Sequence, residues 1–191
     1  MQHIFLNVMT KEVLSTEAQF EQVMRECRSL FEKKLHDYKA SWRILRPSSL
    51  TDQLFIKAKR IRSLEIKKTS MVGEGIRPEF VALINYGIVG LIQMERGFAD
   101  TVDMDNDEAM TLYDKHANEA LELMKRKNHD YDEAWRSMRV SSYTDFILTK
   151  IERIKEIENI GGNTLVSEGV ESNYMDIINY AVFGVIKLSG E

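Results

Sequence analysis

Lys150 and Arg153 stand three residues apart, about one helical turn. Arg136 and Arg139 come just before the pair Ser141 and Ser142. Cationic side chains beside a hydroxyl-rich helix start can hold phosphate oxygens. The same set occurs earlier, as Lys57, Arg60, Arg43 and Arg46 around Ser48 and Ser49. For one set alone, solvated charges or ion pairs with Glu65 and Glu158 suffice. Its presence twice brings a phosphate site level with that reading. The carboxylates are less symmetric. Asn173, Asp176 and Tyr180 share a face at i, i+3 and i+7, where the earlier copy has Glu79, Ala82 and Tyr86. Asp52 and Asp145 read first as helix caps, and Glu74 and Glu168 precede a Gly where a loop meets the last helix. Trp42 and Trp135, with Tyr38 and Tyr131, are either core residues or a platform for stacking a base. His36 and His129 lack a second His or a Cys at ligand spacing, so they read as hydrogen-bonding residues and not a zinc site. No P-loop, GxGxxG or nucleophile elbow is present.

These residues recur because the chain is duplicated. His129, Asp130 and Tyr131 lie 93 positions after His36, Asp37 and Tyr38. At that offset Trp42 meets Trp135, Thr51 and Asp52 meet Thr144 and Asp145, and Glu65 meets Glu158. One residue is then added, and Ile84-Asn85-Tyr86 meets Ile178-Asn179-Tyr180. Self-similarity of this kind marks a repeat architecture.

Each copy reads as three helices. Phe20, Val23, Met24, Cys27, Leu30 and Phe31 recur at helical spacing, with Ser15 or Thr16 as a cap. Met110, Tyr113, Ala117, Ala120, Leu121 and Met124 repeat the pattern after Asp105. Ser49 to Asp52 and Ser142 to Asp145 look like capping boxes that start the middle helices. Pro78 suits the first turn of a last helix. No useful period-2 strand is seen. The expected fold is all-α, a helical bundle of two tandem three-helix repeats arranged as a pseudo-dimer. Residues 1–96 form the first repeat, 97–105 a linker and 106–191 the second. A single three-helix unit buries little apolar surface, so one fused core is expected.

The bulk properties narrow the class. Of 191 residues, 43% are hydrophobic and 29% charged, an ordinary globular mix. A net charge of −4 argues against binding extended nucleic acid through phosphates. The lone cysteine, Cys27, excludes an intramolecular disulfide and suits a reducing compartment. No apolar run reaches the roughly 20 residues of a membrane span, and the N-terminus lacks a basic lead, so a cytoplasmic chain without membrane contact is expected.

The combination Lys-x-His-Asp-Tyr-x-x-x-Trp, Ser-Ser-x-Thr-Asp, Lys-x-x-Arg-Ile and Ile-Asn-Tyr, carried by both copies, resembles the nucleotide modification associated domain 1 family. More distantly, the chain is similar to the all-α, MazG-like nucleoside triphosphate pyrophosphohydrolases, which are usually dimers and hold Mg²⁺ on EExxE and ExxD motifs. Asp176 with the following Ile-Ile-Asn-Tyr looks like the end of ExxD, but residue 173 is Asn, and copy one pairs Glu79 with Ala82. The middle helix offers Glu152, Glu156 and Glu158 interleaved with cations in place of EExxE. The resemblance implies a nucleotide or nucleoside triphosphate ligand, and allows a homo-oligomer. In a Mg²⁺-dependent hydrolase, Asp176 and Glu168 would be catalytic, and Asp130, Glu158, Glu168 and Asp176 would hold the metal. Arg139, Lys150 and Arg153, with Arg136, Lys57, Arg60, Arg43 and Arg46, would bind substrate, and Tyr131 or Trp135 would stack the base. The alternative is a non-catalytic module that binds a nucleotide or a modified base.

Overall fold

The computed structural model describes residues 14–71, 73–161 and 169–190. Six helices and no strand occur among them: α1 (Thr16–Tyr38), α2 (Pro47–Lys67), α3 (Arg77–Arg96), α4 (Asn106–Tyr131), α5 (Val140–Asn159) and α6 (Val170–Leu188). A short 3-10 turn carries each tryptophan, Ser41–Ile44 after α1 and Ala134–Ser137 after α4. No helix among the described residues is long and apolar enough to cross a membrane.

Local chemistry accounts for several helix ends. The Ser15 hydroxyl accepts from the Ala18 N–H at 3.2 Å, and the Asp105 carboxylate accepts from the Glu108 N–H at 2.8 Å. Each satisfies an amide that has no carbonyl partner inside its helix. Pro78 lies in the first turn of α3, where its missing N–H is not needed. The expected capping boxes do not form. α2 starts at Pro47 and α5 at Val140, with Arg46 and Arg139 at the cap positions and no side-chain cap bond. Ser49 and Ser142 are therefore already inside their helices.

The two repeats share one core. Each helix packs against its own counterpart: α1 on α4, α2 on α5, and α3 on α6. The α3–α6 seam is closest, because it uses glycine. A Cβ built on Gly90 would lie 2.5 Å from the Tyr174 ring, and one on Gly184 would lie 2.9 Å from Phe80. Phe80, Leu83, Ile84, Ile88 and Leu91 meet Ile177, Ile178, Ala181, Val182 and Val185 there, all but fully buried. The α2–α5 seam shows why Thr and Glu recur in both copies. The Thr51 hydroxyl donates to Glu158 at 2.7 Å, and the Thr144 hydroxyl donates to Glu65 at 2.8 Å. This reciprocity, residue i on j and j′ on i′, is what a twofold interface produces. The arrangement is an all-α pseudo-dimer.

Candidate ligand site

Asp176 sits on α6 with 5% of its surface exposed. Lys127 of α4 and Lys150 of α5 converge on it. The Lys127 ammonium lies 2.5 Å from one carboxylate oxygen and that of Lys150 2.7 Å from the other. A single buried negative charge is thus compensated by two cations from the neighbouring helices, as burial of a carboxylate requires.

One turn along α6, Asn179 is 5% exposed, and neither its Oδ1 nor its Nδ2 has a hydrogen-bond partner among the described residues. Buried polar atoms are nearly always paired with protein or ordered water, so an amide with both ends unpaired marks this wall as a place for an added partner. Asn179 and Asp176 lie on the wall of a cavity of about 330 Å³. That volume falls within the range of about 300–1,000 Å³ typical of small-molecule sites. Its other walls are mostly aromatic: Tyr131, Trp135, Tyr143, Phe146, Tyr180 and Phe183. The indole Nε1 of Trp135 is buried and unpartnered as well. Burial pushes the Tyr180 phenol above its ordinary range, and the Asp176 charge adds to the shift.

A strained turn holds the mouth of this cavity. Asp132 and Glu133 both adopt left-handed backbone, φ 48° and 59°. Such residues cost about 1–3 kcal/mol each unless their surroundings fix them. Glu133 is fixed: its carboxylate accepts from Thr16 Oγ1 at 2.6 Å, from Asn128 Nδ2 at 2.6 Å and from Arg136 Nε. Burial alone would raise the Glu133 pKa, but these three donors outweigh it and hold it below the usual carboxylate range. The start of the first repeat, at Thr16, therefore braces the wall of the second repeat's cavity.

The residues singled out from sequence divide into groups. Asp176, Lys150, Tyr131 and Trp135 meet at or beside the cavity, Lys150 through its ion pair with Asp176. Tyr131 is 69% exposed at the mouth and free to stack. Trp135 is buried and has Phe183 stacked on it at 4.6 Å and 8°, with the Arg136 guanidinium 4.4 Å above the ring. It is a wall, with no free face for a base. Arg136 is engaged with Glu133 and Thr16. Arg153 pairs with Glu156 at 3.0 Å, and Arg139 is exposed at the start of α5. Asp130 is exposed and pairs with His129 at 3.2 Å. Glu158 belongs to the α2–α5 seam and lines a different cavity, beside Tyr174. Glu168 lies outside the described residues.

In the first repeat the cations are spent internally. Arg43 is 3% exposed and donates to Asp103 at 2.8 Å, to the Gly97 carbonyl at 2.5 Å and to Gln93, locking the turn after α1 to the chain after α3. Arg46 pairs with Asp100 at 2.6 Å and lies over Phe98. Lys57 and Arg60 both engage Glu79. All four cations expected to bind substrate are thus paired within the fold. Lys127, Asn128, Asn179 and the aromatic walls other than Tyr131 and Trp135 were not nominated from sequence. The repeated Ile-Asn-Tyr pattern was the available signal, since it puts a polar amide within an apolar helix.

Of the four expected magnesium ligands, Asp176 has both oxygens held by ammonium groups, Asp130 and Glu158 do not line this cavity, and Glu168 lies outside the described residues.

Fold and cavity thus define a duplicated all-α bundle with an aromatic cavity, lined by Asp176 and Asn179, in its second repeat. The chain belongs to the family described as Nucleotide modification associated domain 1, whose model matches residues 34–94 and 127–188. No curated protein and no solved structure matches it.

Proposed function

We propose that the chain is a nucleotide-binding module that takes a nucleobase, plain or modified, into the cavity of the second repeat without a metal. The open amide of Asn179 carries this reading. An adjacent donor and acceptor in an aromatic cavity suit the edge of a base, which presents the complementary pair. Tyr131 supplies an exposed ring at the mouth for stacking. Lys127, 47% exposed, places an ammonium where a phosphate could contact it. The family's association with nucleotide modification supports the same ligand class.

The pyrophosphohydrolase reading would need Asp176 to exchange two lysines for a metal, and nothing observed favours that exchange. The test is calorimetric titration of the full chain with each common nucleoside triphosphate and deoxynucleoside triphosphate, with and without Mg²⁺, while assaying pyrophosphate. Saturable binding indifferent to Mg²⁺ and without product is expected, with Asn179→Ala weakening it at least tenfold. Metal-dependent release of pyrophosphate, lost in Asp176→Ala, would replace this reading with the hydrolase.

A further inference from the structure

The first repeat contains the same amide, and its fate differs. Asn85 of α3 corresponds to Asn179 of α6, yet both of its ends are satisfied. Its Nδ2 donates to the Cys27 carbonyl at 3.3 Å, and its Oδ1 accepts from the Tyr113 hydroxyl at 2.8 Å. Tyr113 is fully buried and reaches Asn85 from α4. Phe31 stacks on its ring at 4.6 Å and 27° and so fixes the hydroxyl.

The pseudo-twofold maps this contact onto the second half. α1 packs on α6 as α4 packs on α3. The residue 93 positions before Tyr113 is Phe20. It is fully buried on α1 and carries no hydroxyl. The hydroxyl that satisfies the Asn85 Oδ1 is thus missing from the residue that takes its place toward Asn179. The neighbours follow suit. Met124, Asn128 and Asp176 of the cavity correspond to Phe31, Leu35 and Ala82, which are larger, apolar or uncharged.

We infer that the duplication leaves one open site per chain: the first repeat's site is closed from within by the Tyr113 hydroxyl, and Phe20 keeps the second one open. The ligand side of this inference rests on the nucleotide reading above; the asymmetry of the two amides does not. The first repeat then acts as a brace, supplying Thr16 to the wall and its helices to the core.

The experiment compares wild type, Phe20→Tyr, Asn85→Leu and Asn179→Leu by calorimetric titration with the same triphosphates and by thermal unfolding. One ligand per chain is expected, with affinity at least tenfold lower in Phe20→Tyr. Two ligands per chain, or unchanged affinity in Phe20→Tyr, would overturn the inference. If no triphosphate binds wild type, the nucleotide reading fails, and unfolding alone decides the asymmetry. Asn179→Leu should then melt at or above the wild-type temperature, since it replaces an unpaired amide by an apolar group. Asn85→Leu should melt lower, by about 2–8 °C, because it strands the Tyr113 hydroxyl. The reverse order, or equal losses in both, would overturn it. These two variants still decide the matter if Phe20→Tyr does not fold.

Discussion

Asp176→Asn isolates the charge at the centre of the site. The substitution keeps the shape of the side chain, so loss of packing contributes little. What changes is the balance of one buried carboxylate against Lys127 at 2.5 Å and Lys150 at 2.7 Å. Breaking a fully buried ion pair costs about 3–5 kcal/mol, while an exposed one is worth about 0–1 kcal/mol. Here the acid is buried, but Lys127 is 47% and Lys150 28% exposed, so both ammoniums can turn toward water. The expected loss is about 1–3 kcal/mol, or roughly 2–10 °C in melting temperature for a domain of this size. The same change removes a negative charge from beside the cavity. A phosphate-bearing ligand should therefore bind more tightly, about tenfold for each 1.4 kcal/mol gained, with a steeper dependence on salt. Differential scanning calorimetry measures the first effect and titration at two ionic strengths the second. A variant as stable as wild type, with weaker binding of anionic nucleotides, would refute the electrostatic account of the site.

Other parts of the fold make independent claims. Gly90→Ala should destabilise by about 1–3 kcal/mol despite the better helix propensity of Ala, since its methyl group would meet the Tyr174 ring at 2.5 Å; chemical denaturation would read this. Arg43→Ala should be far more damaging than Arg153→Ala, because the first deletes a buried guanidinium and leaves the Gln93 Oε1 and the Gly97 carbonyl without that donor, while Arg153 pairs with Glu156 near the surface; their denaturation midpoints give the comparison. Glu158 has its pKa raised, chiefly by burial and further by Asp52, with the Thr51 hydroxyl opposing. A raised carboxylate contributes most at pH below its unfolded value and loses that contribution as pH rises through its folded value. Glu158→Gln should therefore raise the melting temperature at neutral pH and leave it unchanged below about pH 4, where the native residue is already protonated.

The sequence by itself determined the helices and their duplication. Helical spacing of Phe20, Val23, Met24, Cys27, Leu30 and Phe31, the caps at Ser15 and Asp105, and Pro78 at a helix start are local properties, written within a turn or two of chain. The 93-residue offset also predicted a pseudo-dimer, because two short units must bury their apolar faces on each other. The fate of the repeated polar residues was a tertiary matter. Glu158 looks like a metal ligand in sequence, but it bonds Thr51 across the α2–α5 seam, 107 residues away. Arg43 and Arg136 occupy the same place in the repeat, yet one is sealed by Asp103 and the other held by Glu133 and Thr16. Asn85 and Asn179 sit in identical Ile-Asn-Tyr motifs. Asn85 is satisfied by a residue of another helix, Tyr113 of α4, while Asn179 has no partner among the described residues. Only the packing of α4 on α3 brings Tyr113 to Asn85, and no spacing along the chain encodes it.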